Sequence, residues 1–535
     1  MTTIAQEQLI SWYKNPFKLA FWCCLLGYLL FYTPYGLENG DMGSIFGISW
    51  SMYNGYFPHL DFYYIKPALP PYFHSLFLYL TEDYAYLLNR GFYFVQVFSF
   101  SYLAVRLVSD LWLQLKAEER YFLATLATVV TIHNYPPMPW NTIDGVFFGV
   151  IGLFLLLKYR SWYTIALAAF FIALSVLSKQ SFYFFPVMIA GYLVLQKEFK
   201  KLLILIGFGL FYALCFAGLL YGKGAWEAFY AQTFSFTSGS SLFNAGFKNY
   251  ALAFKSQALW LIPLSGFLYY FRKKIPADIS YVVFHLAIAA YLIYLYLNPD
   301  SYHTVKAWLY QVWFLIAVLF GLLMWTKDKK YSLLLLLLGL SWCASISNGF
   351  KTPVHFAVAM VIAAYVLLIK APKIKLSKGW AFAVLLAFVT CFSIGYQTVY
   401  NDSNRSELTF NMGEIFPRLS GIKSDATTYE QYKELKELSA VYDNFTVVPS
   451  MTLAHYVTNT KNPIGVDWVF DHHLAGEIEK HYQMLVDKKV TVFLEPFEDH
   501  PNNYEESARL SGLIKERWEL VAKTPYFRVY QPPNF

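Results

Sequence analysis

One feature recurs from Phe17 to about Tyr396: apolar stretches of roughly 20 residues, the length an α-helix needs to cross the hydrocarbon core of a bilayer. Hydrocarbon offers no hydrogen bonds, so each backbone N–H and C=O must be satisfied inside the chain, and such stretches fold as helices packed side by side. About thirteen spans are read at this length. They start near Phe17, Phe92, Tyr121, Ile143, Tyr163, Phe182, Leu202, Gln257, Ile279, Ala307, Tyr331, Val354 and Trp380. No small-residue cleavage site follows the first stretch, so it reads as a retained span rather than a signal peptide. Composition agrees: 57% of the 535 residues are hydrophobic and 14% charged, against about 25% charged in soluble domains.

Charge divides the chain. Residues 401–535 carry 20 acidic and 14 basic side chains, a net of −6, and the remainder carries 28 basic and 15 acidic, a net of +13. The basic excess sits at span ends rather than in one patch, so it is read as topology and not as nucleic-acid binding. Short loops at 158–160, 197–201, 272–274, 327–330 and 370–378 are dense in lysine and arginine, as are Lys14, Lys18, Lys116 and Arg120. The positive-inside rule assigns that set to the cytoplasm. The N-terminus is then cytoplasmic, and an odd number of spans leaves the tail outside. The expected architecture is a polytopic α-helical membrane module over residues 1–400, with a first external loop over 34–90, and a small external α/β domain over 401–535. Strands are expected in "FTVVPS", "VTVFLEPF" and "FRVYQPP", and a helix in "TTYEQYKELKELSAVY". The cysteines at 23, 24, 215, 343 and 391 all lie in apolar stretches and read as small core fillers.

Ionisable groups are scarce at span centres, which argues against an ion-coupled pump, and no internal repeat points to a transporter. Polar groups gather at the outer ends of spans instead. The first external loop, "ENGDMGSIFGISWSMYNGYFPHLDFYYIKPALPPYF", holds Glu38, Asp41, Asp61 and Lys66. Its apolar residues have helical spacing, so it is expected to form an amphipathic helix lying in the interface, with Asp41 at its start and Gly55–Pro58 ending it. Asp41 there either caps the helix or does chemistry. Asp61 either orients a substrate or holds its turn, and prolines hold Lys66 in a rigid turn. Asp144 in "NTIDG" either reaches the site or caps its helix. "DWVFDHH" gathers Asp467, Asp471, His472 and His473, read as a solvated loop, since adjacent histidines rarely chelate one metal.

An acid at a helix start, then Gly-x-x-Pro, Asp-Phe and Lys-Pro-x-Leu after a first span resembles the first external loop of GT-C membrane glycosyltransferases, in the aminoarabinose transferase and protein O-mannosyltransferase branch. The resemblance implies two interfacial helices in that loop and a polyprenyl-phosphate sugar donor. It implies Asp41 as the catalytic carboxylate, although Met42 stands where the family often has a second acid. It implies that Lys66 in "KPAL", Lys179 in "LSKQSFYFFP" and Lys351 in "NGFKTPVH" contact the donor phosphate.

The chemistry can be argued from charge alone. A sugar leaving from a phosphodiester releases a phosphate that gains negative charge, which fixed cations in a dry site stabilise. Phosphate leaves without a general acid, so one base for the acceptor hydroxyl suffices, and a single attack inverts the anomeric centre. Retention would need a nucleophilic carboxylate, for which Glu38 and Asp61 stand nearest. The expected activity is glycosyl transfer from a polyprenyl-phosphate monosaccharide to a hydroxyl of a cell-surface glycan, lipid or protein. It would occur outside the inner (plasma) membrane and without cofactor or obligatory metal. The competing readings are a lipid-linked oligosaccharide polymerase or ligase and a lipid or polysaccharide transporter.

Overall fold

The computed structural model describes residues 15–133, 138–235, 244–256, 302–346, 352–370, 402–496 and 508–533, excepting 472 and 475 and adding 389, 396 and 399. Spans expected near Gln257, Ile279 and Trp380 lie outside these residues, as does Lys351. What is described is mostly helical, with a small sheet region near the C-terminal end.

The helices needed below are α1 (Pro16–Phe31), α2 (Asp41–Tyr53), α3 (Leu69–Leu80), α4 (Ala85–Val108), α5 (Ala117–Ile132), α6 (Asn141–Lys158), α7 (Trp162–Val176), α8 (Phe184–Leu195) and α9 (Phe199–Gly222). Pro16 opens α1, where its missing N–H costs nothing, and Asn15 accepts the amides of Phe17 and Lys18 at 3.1 Å. A π-helical turn over Ser109–Leu113 extends α4. Three helices among the described residues are long and apolar enough to cross a membrane: Ala85–Leu113, Asn141–Lys158 and Phe199–Gly222. On α9 the side chains of Leu203, Ile206, Leu210, Phe211 and Leu214 are all exposed. An apolar helix face of that size is stable only against hydrocarbon or another chain.

α6 and α7 pack closely because glycine removes the obstruction. A Cβ on Gly145 would lie 2.2 Å from the Phe182 ring, and one on Gly152 would lie 2.8 Å from Ile172. This contact draws the linker after α7, with Lys179 in it, onto the first turn of α6.

The C-terminal portion is built on a four-stranded sheet ordered β3–β4–β6–β5, from β3 (Phe445–Val448), β4 (Thr491–Leu494), β5 (Glu519–Lys523) and β6 (Arg528–Gln531). Two short strands, β1 (Phe410–Asn411) and β2 (Lys423–Ser424), pair beside it. β3 and β4 run parallel, with Phe445 opposite Thr491, and every residue of both is buried. The helix Ala426–Val441 begins on Asp425, which accepts the Thr428 amide at 2.7 Å. The expected strands and helix of the tail are all observed.

This portion clasps the first loop. Lys423 donates its amide to Pro34 at 2.7 Å and accepts that of Gly36 at 2.8 Å. Trp50 Nε1 donates to the Thr460 carbonyl at 2.8 Å, and the Arg418 guanidinium lies 4.3 Å from the Trp50 ring. α2 therefore departs from the amphipathic surface helix expected of it. Every residue from Met42 to Met52 except Ser44 is buried, because the tail covers the face that would otherwise meet water.

Candidate active site

Glu38 organises the start of α2. Its Oε1 accepts the amides of Gly40 at 2.7 Å and Asp41 at 3.1 Å, and its Oε2 accepts that of Met42 at 2.6 Å. Three of the four amides that a helix start leaves without intrahelical partners lie in this segment, and one buried carboxylate takes all three. Capping, one of the two roles open to Asp41, thus belongs to Glu38.

Asp41 lies on the wall of a cleft that also contains Lys66. Helix α2 supplies Asp41, Ser44 and Ile48, the loop supplies Tyr63, Tyr64 and Lys66, and the tail supplies Asp467, Trp468 and His473. The Lys66 turn is fixed from behind. Gln180 Nε2 donates to the Ile65 carbonyl at 2.6 Å. Gln232 Oε1 accepts the Tyr64 amide at 3.0 Å and sits 2.9 Å from His59 Nδ1.

Lys179 joins this charge system. It is buried, its Nζ lies 5.3 Å from the Trp140 ring, and it donates to the Thr142 hydroxyl at 3.1 Å. Burial and the neighbouring Lys66 charge pull its ammonium down to about 7, while Asp41 works against them. Lys66 is also lowered by burial, again opposed by Asp41. Two ammonium groups and one carboxylate thus act on one another electrostatically. An anion bound near the two lysines would relieve the repulsion between them.

No family model matches this sequence, and no curated protein matches it. Solved structures do resemble it. The crystal structure of the Archaeoglobus fulgidus oligosaccharyltransferase complexed with Zn and sulfate aligns at a TM-score of 0.47 and 14% identity, over 95% of this chain and 72% of that one. The archaeal oligosaccharyltransferase AglB from Archaeoglobus fulgidus, in complex with an inhibitory peptide and a dolichol-phosphate, aligns at 0.45 and 13% identity, over 94% and 72%.

The other expected residues fall into place differently. Asp61 accepts the Phe57 amide at 2.6 Å and donates its own amide to the Phe57 carbonyl, so it holds the turn before Lys66. Asp144 is fully buried in the first turn of α6, with Oδ2 3.0 Å from His74 Nε2 and Oδ1 accepting Gln96 Nε2 at 2.7 Å. It ties α3, α4 and α6 together and does not line the cleft. Asp471 accepts the backbone amide of Arg509 at 3.0 Å and its Nε at 2.6 Å. Among the described residues no group of three histidine, cysteine, aspartate or glutamate side chains is placed to hold a metal. Asp467 is the cleft residue that the sequence did not single out from "DWVFDHH". Its place is set by the docking of the tail, which leaves no local signature.

Proposed function

We propose that this chain is a GT-C-type membrane glycosyltransferase that moves a monosaccharide from a polyprenyl-phosphate donor to a hydroxyl of a cell-surface glycan, lipid or protein. The observation that carries the reading is the shared cleft of Asp41 and Lys66, with the Lys179 charge acting on both. Lys66 and Lys179 would hold the donor phosphate, with Lys351 as a third cation. Asp41 would take the proton of the acceptor hydroxyl as its oxygen bonds to the anomeric carbon. The bond from that carbon to the phosphate oxygen breaks, and the electron pair leaves on phosphate, where the ammonium groups stabilise it.

Inversion is the expected stereochemistry. The nearest alternative nucleophiles are engaged elsewhere: Glu38 on three backbone amides and Asp61 on its turn. Residues 1–400 would form the membrane module, with the N-terminus cytoplasmic. Residues 401–535 and the cleft would face outward from the cytoplasmic membrane.

The test supplies purified protein with labelled polyprenyl-phosphate sugars beside Asp41→Asn and Lys66→Ala. Transfer by the wild type, and its loss by at least about a hundredfold in each variant, is expected. Equal transfer by wild type and Asp41→Asn refutes the base, and lipid movement without sugar transfer favours a transporter. A reporter fused after Phe535 is expected to be active outside the cytoplasm.

A further inference from the structure

A second pocket lies where the tail meets the end of α1, and it shares no lining residue with the cleft of Asp41 and Lys66. Tyr35 and Tyr396 wall it on one side, and the tail supplies Arg405, Ser406, Thr409 and Lys423. The Arg405 guanidinium sits among three rings, 4.7 Å from Tyr32, 4.8 Å from Tyr35 and 4.3 Å from Tyr396. Its Nε donates to the Tyr396 carbonyl, and its Nη1 donates to the Phe31 carbonyl at 2.7 Å. Its Nη2 makes no hydrogen bond among the described residues and still retains accessible surface. The Lys423 side chain is exposed, with its ammonium 5.5 Å from the Tyr35 ring. Neither cation is in an ion pair among the described residues.

We infer that this pocket binds the phosphate of an anionic membrane lipid, held between Arg405 and Lys423. The site is separate from the one that would take a sugar donor. It depends on α1 standing in the bilayer and not on the transferase reading.

The charge of the pocket calls for an anion. A largely buried guanidinium is costly to desolvate without a counter-charge. The acids of this segment do not supply one. Asp402 accepts the Leu37 amide and the Ser424 hydroxyl, each at 2.8 Å, and neither it nor Glu407 lines the pocket. Arg90 adds positive charge from behind, its Nη2 donating to the Tyr35 carbonyl at 2.5 Å. The groups left to meet a ligand are Nη2, the Lys423 ammonium and the hydroxyls of Ser406 and Thr409, a set of donors that suits phosphate oxygens. The position selects a lipid as the source. Arg405 is bonded to the last residue of α1, and the Leu26, Leu30 and Phe31 side chains of that helix are exposed. An acyl chain can cover such apolar surface while its headgroup phosphate reaches the cations. The bound phosphate would then tie the tail to the helix beneath it.

The test uses full-length protein stripped of lipid in detergent. The probes are dioctanoyl phosphatidylglycerol, dioctanoyl phosphatidylcholine and inorganic phosphate. Binding is read by native mass spectrometry and by the rise in melting temperature. Phosphatidylglycerol is expected to bind at least about tenfold more tightly than phosphatidylcholine, whose own cation opposes Arg405 and Lys423. It is also expected to bind more tightly than inorganic phosphate, which leaves α1 uncovered. Lys423→Glu is expected to weaken phosphatidylglycerol by at least about tenfold and to melt as wild type does without lipid. Arg405→Gln should weaken it as well, but this change also loosens the tail, so Lys423→Glu is the deciding variant. Lys66→Ala, in the other cleft, is expected to bind phosphatidylglycerol as wild type does. Equal affinity in wild type and Lys423→Glu, or loss of binding in Lys66→Ala, overturns the inference. Inorganic phosphate binding as tightly as the lipid overturns the lipid as occupant, and a wild type that binds none of the probes overturns the site. None of these outcomes bears on the transferase reading.

Discussion

The carboxylate of Glu38 accepts the backbone amide of Asp41 at 3.1 Å, so the first acid of the loop fixes the position of the second. Glu38→Ala removes the acceptor of three amides and is expected to destabilise the protein by about 1–3 kcal/mol. Turnover should fall further than donor affinity, because Asp41 loses its placement while the lysines do not. Glu38→Gln, whose amide oxygen still accepts, should lie between. Melting curves in detergent read beside kcat and KM check this, and an unchanged kcat in Glu38→Ala would contradict it.

If Lys179 holds the donor phosphate as proposed, donor binding should depend on pH near neutrality. Its ammonium is lowered to about 7, so the charge that attracts phosphate is present below that pH and is lost as pH rises through it. The affinity of a short-chain prenyl phosphate should therefore weaken on raising pH from about 6 to 9, with the midpoint moved upward by the bound anion. Lys179→Arg should bind with little pH dependence, because guanidinium stays charged. Lys179→Met should bind weakly throughout. A titration curve in Lys179→Met matching that of the wild type would assign the dependence to another group.

Gly47 is where the tail rests on α2. A Cβ there would lie 2.4 Å from the Thr452 carbonyl oxygen and 2.9 Å from Asp467 Oδ2. The backbone contact cannot be relieved by turning a side chain, so Gly47→Ala should displace the tail. The expected cost is about 1–3 kcal/mol, with faster proteolysis after residue 402 and reduced transfer. Gly191 has open space around its Cβ position, and Gly191→Ala is the control that should leave all three unchanged.

Asp467 should also imprint its protonation on stability. Its carboxyl titrates near 7 in the folded protein, and near 4 when unfolded. Between those values the folded chain holds a proton that the unfolded chain has released, so stability is fullest below about pH 4 and declines as pH rises through 7. Asp467→Asn should flatten that part of the profile and exceed wild type in melting temperature at about pH 8. An identical slope in both proteins would rule Asp467 out as its source.

What the sequence disclosed follows from how local each signal is. Helix α2 was legible from Asp41 to Gly55 because its periodicity and its glycine end lie within one stretch. Its burial was not, since Trp50 meets Thr460 only after the tail docks. β3 and β4 were legible as short apolar runs, although their parallel pairing was not. The sequence left Asp61 undecided between two roles, and the hydrogen bond to Phe57 resolves it by a contact four residues away. Glu38 and Asp467 gave no comparable sign. One acts through backbone amides and the other through a partner surface, and neither leaves a spacing rule in the chain.

The clasp between the tail and the first loop bears on the order of synthesis. Asp41, Lys66 and Lys179 emerge early, but Asp467, Trp468 and His473 complete the cleft only when the last quarter of the chain has been made and seated. A nascent chain halted before that point would carry Asp41 and the lysines with one side of the cleft missing. Under the proposed function, such a molecule would be held inactive by geometry alone until its C-terminal portion had been made and seated.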